Sequence, residues 1–273
     1  MTQESLAADQ KFAIGTVLST SLAVLGRNFA TFIGIAVLIG IPYIIVTFIG
    51  MGAVPQGPVE GMESGSMSMA LAGMMMVGGL VALLTYVVAQ AAINFGTFQD
   101  LRGQKAEIGE CLRQGLAAMP RVIGAGLLAV LAAAVIMLVI SFLAFIPIVG
   151  IVIMIVGFAA AIALFINWWV IIPVVVVEKT GVLECFGRSR ALTAGNRWRI
   201  LLLLIVVGLG QGVINFILQM IGQIGGVWLA VILTLAVSLF FIAFNAVLTA
   251  VGYYTLRSAK EDIIIDDIAR VFD

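Results

Sequence analysis

Four stretches of this chain contain no Asp, Glu, Lys or Arg: Asn28–Val59, Ser64–Gln99, Val122–Val177 and Ile200–Leu256. A bilayer core about 30 Å thick takes about 20 apolar residues per helix. The first two windows therefore hold one span each, and the last two, of 56 and 57 residues, hold a pair each. Composition agrees: 10% of residues are charged, against about 25% in soluble domains. The expected fold is all-α, a polytopic membrane protein with six spans at about 29–51, 67–93, 122–146, 149–177, 200–221 and 227–256. Two short sequences divide the long windows, "PIVG" at 147–150 and "GQIGG" at 222–226, because proline and glycine favour a tight turn.

The signs of the charges suggest an orientation. All fourteen Lys and Arg residues lie in the N-terminal arm, the 96–121 connection, the 178–199 connection and the tail. The other three connections carry only Glu60 and Glu63. Basic residues are retained on the cytoplasmic side, so both termini are expected there. The polar start "MTQESLAADQK" lacks the apolar core and cleavage site of a signal peptide.

The densest charge is in "CFGRSRALTAGNRWRI", residues 185–200, with Arg188, Arg190, Arg197 and Arg199. Thr180 is placed to cap a helix with Glu184 in its first turn. Val182, Cys185, Phe186 and Leu192 then share a broad face, as in an amphipathic helix lying in the membrane interface. Gly195 would end it, and Trp198 would anchor the next span at headgroup depth. The four arginines have two readings. They hold the connection on one side, and they are candidates for binding anionic headgroups, which arginine grips bidentately.

Related segments recur. "KAEIGECLRQGLAAMPRVIG" from Lys105 and "KTGVLECFGRSRALTAGNRW" from Lys179 share Lys, an apolar residue, Glu-Cys and later Ala at equal offsets. "KFAIGTVLSTSLAVLGRNFA" from Lys11 keeps the Lys and the apolar positions. The pattern suggests three repeats within one membrane domain (11–100, 105–178 and 179–257), each an interfacial helix followed by a transmembrane hairpin, and a cytoplasmic tail from 258 to 273. "RSRALTAGNRWRILLLL", following "VVVVEKTGVLECF", resembles the signature of a bacterial six-span family. That family is described as the membrane domain of glycerophosphoryl diester phosphodiesterase and related stand-alone inner-membrane proteins. The resemblance implies a bacterial cytoplasmic-membrane setting and a lipid-facing architecture. It implies no reaction, since the phosphodiesterase chemistry belongs to a separate soluble domain.

The residues themselves argue against catalysis. Histidine is absent and every carboxylate lies in a connection or tail, whereas acid–base chemistry needs a titratable group in a pocket. Ion-coupled transport is disfavoured for the same reason. Gln211, Asn215 and Gln219 recur every four residues along the fifth span, and Gln223 continues the series just past its end. They read either as helix-packing amides or as a polar groove facing Asn245 and Thr249 of the sixth. Met62, Met67 and Met69 are candidate soft ligands for Cu(I), or simply fillers of apolar space. No other metal site and no cofactor is expected.

Cys111 and Cys185, at matching repeat positions, read as small buried apolar residues. Pro173 is expected to kink the fourth span. The expected role is a non-enzymatic membrane protein that organises lipids, anionic phospholipid among them, or a protein complex or homo-oligomer, with no nucleic-acid partner. The alternative is a lipid or small-solute transporter using spans five and six.

Overall fold

The computed structural model describes residues 12–53, 64–143 and 149–261. Among these every element is a helix: α1 (Ile14–Arg27), α2 (Phe29–Ala53), α3 (Ser64–Leu101), α4 (Ile108–Leu143), α5 (Val149–Trp168), α6 (Ile171–Glu178), α7 (Glu184–Thr193), α8 (Arg197–Gly225) and α9 (Val227–Glu261). Among the described residues six stretches are long and apolar enough to cross a membrane: Phe29–Val46, Met76–Leu101, Ile108–Ser141, Ile155–Glu178, Arg197–Gln223 and Trp228–Glu261. The chain is an integral membrane protein with six spanning helices in three hairpins. Residues 144–148 of the "PIVG" connection lie outside the described residues.

The three segments preceding the hairpins fold differently. α1 is a separate helix whose buried residues Val17, Ser21, Val24 and Leu25 recur at helical spacing and form its packed face. α7 is also separate, burying Cys185, Ser189, Leu192 and Thr193. The second segment forms no helix of its own, because residues 108–121 run unbroken into the third span as α4, with Pro120 inside. Gly115 holds that part against α3, and a Cβ there would lie 2.8 Å from the Ala92 Cβ.

Several boundaries also differ from the sequence reading. The fourth span breaks at Trp169-Val170, before Pro173. A proline ring collides with the carbonyl four residues earlier, here that of Trp169, and Pro173 then sits in the first turn of α6, where its missing N–H costs nothing. Lys179, at φ 51°, terminates α6. α8 continues through most of "GQIGG", and Gly226 alone, at φ 85°, makes the reversal into α9. α9 extends to Glu261, so the first residues assigned to a tail are helical. Residues 262–273 lie outside the described residues.

Packing is concentrated in one half of the bundle. α3 and α9 are its centre, α3 touching α2, α4, α6 and α9, and α9 touching α1, α2, α3, α6, α7 and α8. The buried residues lie near the charged connections: 87–98 on α3, Val122 and Ala125 on α4, 170–177 around α6, Ile200 and Leu203 on α8, and 241–256 on α9. Toward the opposite end Leu80, Leu131, Leu138, Phe158, Leu209 and Phe216 are exposed. Leucine is as apolar as a lipid tail, so such surfaces gain little by meeting one another in a bilayer. The charged half is the densely packed part of the described residues.

Candidate functional site at the charged end of the bundle

The four arginines of the 185–200 stretch occupy two kinds of environment. Arg188, on α7, is committed internally. Its Nε donates to Glu178 Oε1 at 2.9 Å and Oε2 at 2.8 Å, and its Nη2 donates to Glu261 Oε1. Glu178 Oε1 also accepts from the Tyr253 hydroxyl at 2.7 Å. Arg257 closes the circuit, with Nε to Glu261 Oε2 at 2.9 Å and Nη1 to Tyr253 Oη at 3.0 Å. This network joins the end of α6, the middle of α7 and the end of α9. Burial opposes the charge of Arg188, but the bonds to Glu261 and Glu178 outweigh it and hold the guanidinium above its ordinary value. Arg199 is also turned inward, its Nη1 donating to the Phe12 carbonyl at 3.1 Å.

Arg190 and Arg197 are exposed, and neither side chain has a hydrogen-bond or ion-pair partner among the described residues. Trp198, next to Arg197 in the chain, is 78% exposed. Lys260 donates to the Ala191 carbonyl, with Arg188 and Arg197 as cationic neighbours. Arg197 and Lys260 thus form an exposed basic pair next to an exposed indole, and Arg190 is a further exposed cation on α7.

Local structure explains the split. Cys185, Ser189, Leu192 and Thr193 face inward on α7, Ser189 Oγ donates to the Asn167 carbonyl at 2.6 Å, and Phe186 meets Trp168 edge-on at 5.1 Å. With these positions fixed, Arg188 is directed to the carboxylates and Arg190 outward. Thr180 does not cap the helix, because α7 begins at Glu184, whose Oε2 accepts from the Gly181 N–H at 3.3 Å. Thr180 Oγ1 is buried without a partner. Gly195, at φ 87°, follows the helix end. Cys185 is buried and its thiol donates to the Val182 carbonyl at 3.0 Å. Burial pushes that thiol up from its ordinary value. Cys111, the other thiol, is also buried.

A second polar clamp holds the other side of this end. Arg27 Nη2 donates to Asp100 Oδ2 at 2.5 Å, and Asn28 Nδ2 donates to Asp100 Oδ1 at 2.6 Å. The bond to Asp100 raises the Arg27 value. Sequence reasoning also passed over three fully buried polar residues of α3: Gln90, Asn94 and Thr97. Gln90 Nε2 donates across the bundle to the Ile242 carbonyl at 3.2 Å, and Asn94 Nδ2 donates to the Gln90 carbonyl at 2.7 Å. Their spacing, i, i+4 and i+7, was visible in "QAAINFGT".

The amides of α8 are not drawn together with Asn245. Gln211 and Asn215 are half-buried, while Gln219 and Gln223 are exposed. None of the four has a side-chain hydrogen bond among the described residues. Asn245 instead donates to the Phe241 carbonyl of its own helix at 2.8 Å, and Thr249 donates to the Asn245 carbonyl at 3.0 Å. Two apolar grooves, of about 270 and 360 Å³, run between α4 and α5 and include none of these amides. Met62 lies outside the described residues, and Met67 and Met69 belong to the start of α3. Among the described residues no three His, Cys, Asp or Glu side chains are grouped to hold a metal ion.

No family model, curated protein or solved structure matches this chain. None of these comparisons bears on the resemblance noted around residues 170–205.

Proposed function

We propose that this integral membrane protein is non-enzymatic and binds anionic phospholipid at its charged end, organising lipids or a partner complex around a densely packed half-bundle. The observation that carries the reading is the division of labour among the arginines. Arg188 and Arg199 hold the fold, while Arg190 and Arg197 stand exposed, Arg197 next to the exposed Trp198 in the chain. Exposed basic residues at the headgroup level attract anionic lipid by about 1 kcal/mol each. The charge asymmetry supports a cytoplasmic orientation of this end, and the resemblance supports a bacterial cytoplasmic membrane.

A lipid that binds the folded state stabilises it by mass action. The protein in nanodiscs containing phosphatidylglycerol is therefore expected to unfold at a higher temperature than in purely zwitterionic nanodiscs. The double variant Arg190→Gln/Arg197→Gln should lose that difference while keeping its stability in zwitterionic lipid. An equal response to phosphatidylglycerol in both proteins overturns the assignment.

A further inference from the structure

The half of α8 away from the charged end carries a polar face whose amides have no side-chain hydrogen bond among the described residues. At about 100° per residue, Gly208, Gln211, Gly212, Asn215, Gln219 and Gln223 fall within about 120° of the helix circumference. A Cβ added at Gly208 or Gly212 would meet nothing within 4 Å. Gln211 and Asn215 are half-buried, and the other four residues are exposed. The flanking Leu209 and Phe216 are exposed and apolar.

Hydrocarbon supplies no hydrogen bonds, so amides left facing it are costly. An acyl chain cannot satisfy them. What fits is an uncharged helix offering donors and acceptors at matching depths and able to approach closely over the glycines. A second copy of this chain has each of those properties. A primary amide carries both donors and an acceptor and so complements itself. A two-fold axis along the membrane normal keeps both copies inserted in the same sense and sets each residue opposite its twin. Gly208 and Gly212, four residues apart, allow the close backbone approach typical of such contacts. Arg197 lies on the same arc but at the charged end of the helix, at headgroup level, where water and salt screen its twin.

We propose that two copies associate in the membrane through this face of α8, crossing at Gly208 and Gly212, with Asn215 and Gln219 hydrogen-bonded to their counterparts. The contact is separate from the lipid site and does not depend on it.

Disulfide trapping in native membranes tests this, using single cysteines in a Cys111→Ala/Cys185→Ala background. Gly212→Cys and Gln219→Cys are expected to form a homodimer on mild oxidation. Val213→Cys and Ile217→Cys, exposed on the opposite side of α8, are expected to remain monomeric. Equal trapping on both sides, monomer at every position, or an adduct of another mass each overturns the proposal. A second measurement uses Gly212→Leu/Asn215→Leu. The open space at Gly212 and the unbonded amide at Asn215 let the monomer accept both changes without strain. Its association in lipid, counted by single-molecule photobleaching, should weaken about tenfold or more. Association unchanged from the parent protein overturns the proposal.

Discussion

Removing Arg188 should damage this protein far more than removing Arg190, although the two lie two residues apart on one short helix. Arg188 makes two charge-assisted contacts, one to both oxygens of Glu178 and one to Glu261. In a dry interior two such bonds would contribute roughly 3–6 kcal/mol. The Arg188 side chain is 29% exposed, so water screens part of that, leaving about 2–3 kcal/mol. Arg188→Ala also leaves the Glu178 and Glu261 carboxylates with Arg257 as their shared cation and the Tyr253 hydroxyl as a hydrogen-bond donor to Glu178. Arg190, exposed and without a partner among the described residues, should cost under about 0.5 kcal/mol as alanine.

The assay is unfolding in detergent micelles, followed by tryptophan fluorescence, since Trp168 packs against Phe186 of the same helix. Arg188→Lys should recover part of the loss by restoring charge without the planar fork. A double-mutant cycle with Glu178→Gln should return a coupling of about 1 kcal/mol or more. Equal stability of Arg188→Ala and Arg190→Ala would refute the division of labour, as would a coupling near zero.

Two further outcomes follow from the packing. Gly115→Ala places a methyl 2.8 Å from the Ala92 Cβ and 3.0 Å from its backbone, and should destabilise by about 1–3 kcal/mol in the same unfolding assay, whereas Gly109→Ala, with open space around it, should be neutral or slightly stabilising. Cys185, buried and with its thiol raised by desolvation, should react with a water-soluble maleimide only as the protein unfolds, because the thiolate is the reactive form; rapid labelling of the folded protein would contradict its placement.

The spans were legible because the feature that defines them, the exclusion of charge over 20 residues or more, is local. The separation of the arginines was not. Residues 185–192 carry the amphipathic pattern, but Glu178 and Glu261 reach Arg188 only once α6, α7 and α9 have met. Nor does the sequence indicate which half of each span packs. In helices apolar on every side there is no stripe to read, and small residues such as Gly96, Gly115 and Gly252 decide it. A Cβ at Gly252 would lie 2.4 Å from the Trp169 ring. The second interfacial segment is fused into α4 with Pro120 inside the helix, where a proline can bend a helix without ending it. Gln90, Asn94 and Thr97 recur at helical spacing, as the amides of α8 do. Burial separates the two sets: the α3 residues are enclosed, with Gln90 bonded across the core and the other two to their own helix, whereas those of α8 are half-buried or exposed.

The most direct test of the lipid-binding account is native mass spectrometry of the protein released gently from its own membrane, with and without Arg190→Lys/Arg197→Lys. Lysine keeps the charge and loses the bidentate grip on phosphate. The account predicts anionic phospholipid retained on the parent protein and lost from the lysine variant, while the ion pairs of Arg188 keep both folded. A bare parent protein, or equal lipid on both, would contradict it.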